Sequence, residues 1–159
     1  MNIILVPATQ EDYLWFVEVF KEVEEFHRLQ APWKFKQPEP ELFTKEYYMS
    51  IITSADSKLL LAKDGERVVW CALAFIKKAS DIPVLKPRIW VDIDTIVVQE
   101  TYKKKWIGKI LLQKVEDRAK ENAISDIELN VRDFNQWAIK FYEKSWFTTY
   151  SHKMRKIIQ

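Results

Sequence analysis

Residues 93–112 read IDTIVVQETYKKKWIGKILL, and this stretch decides the fold. Ile93 to Val98 is rich in β-branched side chains and closes a longer strand-like run, Arg88 to Val98 (RIWVDIDTIVV). From Trp106 the pattern changes. Ile107, Ile110, Leu111, Val115 and Ala119 recur at helical spacing, which predicts a helix over 106–122. Between strand and helix lies a short basic turn with Lys103, Lys104 and Lys105, followed by Lys109 in the helix itself. Backbone N–H groups at a helix start lack intrahelical acceptors, and the helix dipole makes that end positive. A phosphate group placed there is held by amides and by nearby lysines. Taken alone, the same run also reads as a solvated basic turn.

Upstream, Asn2 to Val6 is a short apolar strand, and Thr9 with Asp12 three residues later has the form of a capping box. Leu14, Val17, Phe20, Val23 and Phe26 mark a helix through His27. Pro32, Pro38 and Pro40 make 31–40 a loop, and Glu41 to Thr53 reads as a second helix with Leu42, Tyr47 and Ile51 inward. Lys58 to Lys63 and Arg67 to Lys77 flank Asp64-Gly65, a strong hairpin signal. Downstream, Asp126 to Val131 is a strand, Asn135 to Ser145 a helix, and Phe147 to Thr149 and Lys153 to Ile158 two short closing strands. The order βααβββαβαββ predicts one α/β domain over residues 1–159, built around one mixed sheet.

Composition bounds the function. A chain of 159 residues with 48% apolar and 30% charged residues is expected to bury a single core. Its net charge of +2 selects no partner by itself. No stretch approaches the ~20 apolar residues that span a bilayer, and the N-terminus reads as a strand rather than a signal peptide. A cytoplasmic location without membrane association follows by default. Cys71, the single cysteine, sits in an apolar run and reads as a buried, inert thiol. The lysine cluster has no base-stacking aromatic array beside it, which argues against a nucleic-acid partner. No metal-ligand cluster is expected.

A second stretch, residues 130–147, reads NVRDFNQWAIKFYEKSWF. Asn135, Ala138, Phe141, Tyr142, Glu143, Lys144 and Phe147 match the Asn-x-x-Ala-x-x-Phe-Tyr-Glu-Lys-x-Gly-Phe pattern of the GNAT superfamily of N-acetyltransferases. The run Lys103 to Gly108 matches that family's Arg/Gln-x-x-Gly-x-Gly/Ala cofactor motif. Together the two stretches resemble the family over nearly the whole chain, least before Lys58. The resemblance implies a mixed, mostly antiparallel sheet of six or seven strands. It also implies helices on both faces and a splay between the fourth and fifth strands. Acetyl-CoA is the implied co-substrate, with its pyrophosphate on Lys103, Lys104, Lys105, Trp106, Ile107, Gly108 and Lys109, and Gly108 permitting close backbone approach. Its pantetheine arm would lie along Ile96, Val97 and Val98. Asn135, with Ala138, Phe141 and Lys144 around it, would contact the arm, and Tyr142 would protonate the departing thiolate.

The chemistry supports these roles from the other side. An amine attacks a thioester directly, so no protein nucleophile is needed. A strand-end amide such as that of Val97 is a candidate donor to the developing oxyanion. Asp92 and Asp94 share one strand face; Asp94 is nearer the site and is the candidate base or relay, or else a structural acceptor. Phe26 and His27 end the first helix, on the implied acceptor side. His27 would assist deprotonation or cap the helix end. Aromatic and acidic residues between Glu24 and Phe35 would suit a cationic acceptor. The expected acceptor is a small-molecule or peptide amine. A homodimer is compatible with the family resemblance, though no interface signal is visible. The rival reading is a non-catalytic CoA-binding or dimerising module.

Glycine occurs only twice and tryptophan seven times. Trp70, Trp106, Trp137 and Trp146 stand where the family pattern has glycine or a small residue, and a bulky residue at a left-handed glycine position is an outlier. Either the tryptophans are genuine and weaken the site, or UGA codons that mean glycine have been read as tryptophan. Reading the four codons decides: UGA is expected under the second account, and UGG at all four eliminates it.

Overall fold

The computed structural model describes residues 3–37, 43–98 and 106–158. In chain order these are β1 (Ile3–Pro7), a 3-10 turn (Gln10–Asp12), α1 (Tyr13–Gln30), α2 (Lys45–Thr53), β2 (Ser57–Asp64), β3 (Arg67–Lys78), β4 (Ile89–Val98), α3 (Ile107–Glu121), β5 (Ile127–Leu129) and α4 (Gln136–Lys144). The strands form one sheet in sequence order, antiparallel except for the β4–β5 pair. The hairpin falls where the sequence places it. Asp64 pairs Arg67 across a two-residue loop, with Gly65 at φ +63, a conformation that costs glycine little.

Two register shifts shape the sheet. One leaves Val69 as the extra residue between β2 and β3, so Val69 and Trp70 both join the same core. The other falls between Leu73↔Thr95 and Ala74↔Ile93, leaving Asp94 without a partner in β3.

Helices cover both faces. On one, Phe16, Val19 and Phe20 of α1 and Tyr48 and Ile51 of α2 pack on Leu59, Leu61, Cys71 and Leu73. On the other, Ile107, Leu111, Leu112, Val115 and Ala119 of α3 pack on Trp70, Ala72, Ala74, Val91 and Ile93, with Phe141 of α4 against them. The inward stripes differ in phase from the sequence reading. Leu14 and Tyr47 are exposed, whereas Phe16 and Tyr48 are buried; Phe20 and Ile51 are buried as expected. Aromatic residues carry more apolar area, so the helix rotates to bury them. Leu42 lies outside the described residues. At the head of α1, the Asp12 carboxylate accepts from the Thr9 amide (2.9 Å) and from Lys63 of β2 (2.8 Å), tying the helix start to the sheet. No helix among the described residues is long and apolar enough to cross a membrane.

Among the described residues the sheet has five strands rather than six or seven. Residues 147–149 and 153–158 form no ladder. Met154, Ile157 and Ile158 are exposed, so no apolar burial draws this segment into the sheet. Side chains hold it instead: the Tyr150 hydroxyl donates to Glu128 (2.9 Å), and Arg155 lies 3.5 Å from the centroid of the Trp33 ring.

Two helices end in the same cap. After α3, Ala123 N–H donates to Lys120 and Ile124 N–H to Ala119; after α4, Trp146 N–H donates to Glu143 and Phe147 N–H to Tyr142. This six-to-one, five-to-two pattern needs a left-handed residue at its centre. Ala123 (φ 55) and Trp146 (φ 68) occupy that position without being glycine. The Trp146 side chain is 94% exposed and contributes little packing. Trp146→Gly is therefore expected to stabilise the fold by about 1 kcal/mol in urea unfolding, with unchanged denaturant slope. A loss of stability would show that the indole packs after all.

Candidate functional site

The site begins where the sheet opens. β5 pairs β4 at only three positions, the last being Ile93↔Leu129, while β4 continues to Val98. Among the described residues, 94–98 therefore have β3 on one side and no strand on the other. The bulge at Asp94 coincides with this point, and it resets the alternation of the backbone. The Val91 N–H donates to Asp126, toward the β5 side. One inserted residue later, the even positions face that side, so the Ile96 and Val98 amides point to the open edge. The Val97 N–H is instead directed at the Cys71 thiol. The Val97 N–H, the candidate strand-end donor, therefore faces β3, and the Ile96 N–H faces the open edge. Burial pushes that thiol up to about 12, as an inert core cysteine requires.

β4 leads toward α3. Lys103, Lys104 and Lys105 lie outside the described residues. Trp106 is the N-cap and offers no side-chain hydrogen bond, and the first turn holds no acidic residue. α2 and α4 differ: the Thr44 side chain caps the first and Asn135 the second. Among the described residues nothing caps the Ile107 and Gly108 amides or the positive helix end, which suits an external anion. Lys109 is exposed beside them. Trp106 takes an ordinary right-handed helical conformation (φ −52) and its side chain is 61% exposed. The backbone objection to tryptophan therefore holds only at Trp146. Trp70 fills the core, although its indole N–H has no partner there, and Trp137 stacks on Phe141. Gly108 also differs from expectation. A Cβ there would meet Phe141 at 3.5 Å and Trp70 at 3.9 Å, so its bare face lets α3 pack inward rather than admitting a ligand.

α4 places the second motif. The Asn135 Oδ1 accepts from the Ala138 amide (3.2 Å), which commits both residues to the cap and leaves the Asn135 amide NH₂ free of it. Phe141 packs against α3, and Lys144 is exposed in the last turn. Tyr142 lies between Phe141 and Phe147, at 5.2 and 5.5 Å between ring centroids. Its hydroxyl makes no hydrogen bond to a described residue, and burial alone pushes it up to about 12. Asp94 is exposed at the bulge, accepts from the Thr95 hydroxyl (2.9 Å), and its charge raises the Tyr47 phenol further after burial has done so.

α1 brings in a third group. β1 and β3 run opposite to β2 and β4, so α1 starts at the foot of the sheet. It ends about 27 Å on, near the end where β4 and β5 leave the sheet. Phe26 and His27 there meet Phe134, from the segment after β5, at 5.9 and 6.0 Å, and His27 stacks on Phe35 at 5.3 Å. Partial burial, then the Arg132 and Lys34 charges, lower the His27 pKa against the pull of Glu24. Around His27 the charges are thus mixed, with Glu24 on one side and Arg132 and Lys34 on the other. Sequence reasoning does not single out Arg132, Phe134 and Lys34 as site residues. Their only signal is Arg-Asp-Phe directly before the Asn135 cap.

Comparison with known proteins fits this architecture. The family model described as acetyltransferase (GNAT) family matches residues 20–146. The chain belongs to the GNAT acetyltransferase family. No curated protein matches it by sequence. Among solved structures, a mutant of the BH1408 protein from Bacillus halodurans is 24% identical, with TM-score 0.91 over 98% of this chain and 99% of that one. Glucosamine-6-phosphate N-acetyltransferase from Arabidopsis thaliana is 15% identical, with TM-score 0.70 over all of both chains. The aminoglycoside acetyltransferase meta-AAC0020 from an uncultured soil metagenomic sample, in complex with sisomicin, is 11% identical, with TM-score 0.68 over 99% and 95%. At these identities the likeness is one of fold. Family membership supports acyl transfer, and the GNAT frame puts the open β4 edge and the α3 start in one region.

The state of His27 is testable by pH. Its folded-state pKa lies below the ordinary 6.5, so near that pH the unfolded chain holds more protons. Stability is full above about 6.5 and falls as pH drops through that value toward the depressed one. The wild type is expected to lose more stability between pH 7 and pH 5 than His27→Gln; equal losses would contradict the assignment.

Proposed function

We propose that the protein transfers an acetyl group from acetyl-CoA to a primary amine, by direct attack within a ternary complex. The observation that carries this reading is a strand edge, residues 94–98, unpaired on its outer side among the described residues, leading toward a helix start that no described residue caps. The residues present fit acetyl-CoA. The Ile107 and Gly108 amides, with Lys109 and Lys103 to Lys105, would hold its pyrophosphate. The outward amides of Ile96 and Val98 would pair with its amide arm as an added strand does. When bound, it supplies the thioester that the amine attacks.

The chain's own residues then have distinct tasks. The Ile96 N–H is the candidate donor to the developing oxyanion. Tyr142 is the candidate donor to the departing sulfur. Its phenol, at about 12, lies well above an ordinary thiol at about 8.5. A hydrogen bond from this protonated phenol would stabilise the charge developing on the sulfur. Asp94 at the bulge and the neutral form of His27 are the candidate acceptors of the ammonium proton.

Release of free thiol from acetyl-CoA with a panel of amines tests this. Turnover is expected, and Tyr142→Phe should lower kcat by about 10- to 100-fold with little change in the acetyl-CoA KM. Binding of acetyl-CoA without turnover on any amine would support a non-catalytic CoA-binding module instead.

A further inference from the structure

We propose that the acceptor amine carries an anionic group, a carboxylate or a phosphate, which Arg132 and Lys34 hold beside the Phe35–His27 stack. The proposal rests on the acetyl-transfer reading and names the substrate class for that site.

The Lys34 ammonium lies 5.2 Å and the Arg132 guanidinium 6.0 Å from the centroid of the same Phe35 ring. Lys34 belongs to the loop after α1, and Arg132 to the segment after β5, so two distant parts of the chain bring like charges to one ring. Lys153 adds to the repulsion. Partial desolvation, then Arg132 and Lys153, hold the Lys34 ammonium below its ordinary range. Arg155 follows at 3.5 Å from the Trp33 ring centroid.

Two carboxylates are near, and neither pairs with these cations among the described residues. Glu24 acts on His27, and the Asp133 carboxylate accepts from the Phe134 amide (3.0 Å). Cations gathered without a counter-ion are compensated when a ligand brings one, and a guanidinium forks onto carboxylate or phosphate. The rings of Phe35 and His27 offer an apolar platform for the ligand's carbon body. The cluster sits at the end of α1, on the face opposite α3, where the CoA phosphates are assigned.

The test compares acceptors that differ only in the anion: L-phenylalanine against phenethylamine, O-phosphoethanolamine against ethanolamine, and spermidine as a cationic reference. At least one anionic member is expected to exceed its anion-free partner by roughly 10-fold or more in kcat/KM, and its arm identifies carboxylate or phosphate. Arg132→Gln, and separately the exposed Lys34→Gln, should raise the KM of that acceptor and leave the acetyl-CoA KM unchanged. Preference for the amines that lack the anion overturns the proposal, as does a rise in the acetyl-CoA KM alone. If no amine releases thiol, the transfer reading fails, and calorimetry with the same anionic compounds on wild type and Arg132→Gln still reads the site. Binding lost in the variant sustains an anion site, and no binding to the wild type removes it.

Discussion

Pairing between β4 and β5 stops at Ile93 and Leu129, and the arrangement of the site depends on that stop. A parallel partner that ended later would satisfy the outward amides of Ile96 and Val98 and close the cleft. The extra residue at Asp94 adds to the effect by turning those amides outward while the strand stays bonded to β3. The sheet is thus continuous on one side of β4 and interrupted on the other. Backbone N–H groups need partners, and among the described residues the outward amides of this edge have none.

The opening has two flanks of different character. On the α3 flank, positive potential comes from the backbone: uncapped amides and a helix dipole without an acidic residue in its first turn. On the α1 flank it comes from side chains around an aromatic stack, with a partly buried His27 that stays neutral near pH 7. Tyr142 belongs to neither flank by charge. It is a protonated phenol with no described hydrogen-bond partner, held by Phe141 and Phe147. Aromatic packing fixes its ring, and the hydroxyl is left for whatever enters.

Much of this is legible in the sequence because it is local. The Asp64-Gly65 turn, the α3 stripe and the Asn135 cap are each encoded within a few residues. The splay itself follows only from family resemblance. What escapes depends on contacts across the chain. The bulge at Asp94 leaves no mark in a run of β-branched residues, so the sequence does not show that the Ile96 amide, not that of Val97, faces the open edge. Gly108 looks like a phosphate glycine, yet Phe141 and Trp70, from two other elements, face it. Arg132 and Lys34 are far apart in sequence, and only the fold shows that they share a ring. The strands expected at 147–149 and 153–158 form no ladder: Phe147 packs against the core, while Met154, Ile157 and Ile158 are exposed.

Amide hydrogen exchange on the intact protein, with and without CoA, tests the central claim most directly. The account predicts slowed exchange at Ile96, Val98, Ile107 and Gly108 when CoA is present, with Val97 unchanged because its N–H already faces β3. Protection that misses both the outer edge of β4 and the first turn of α3 would contradict it.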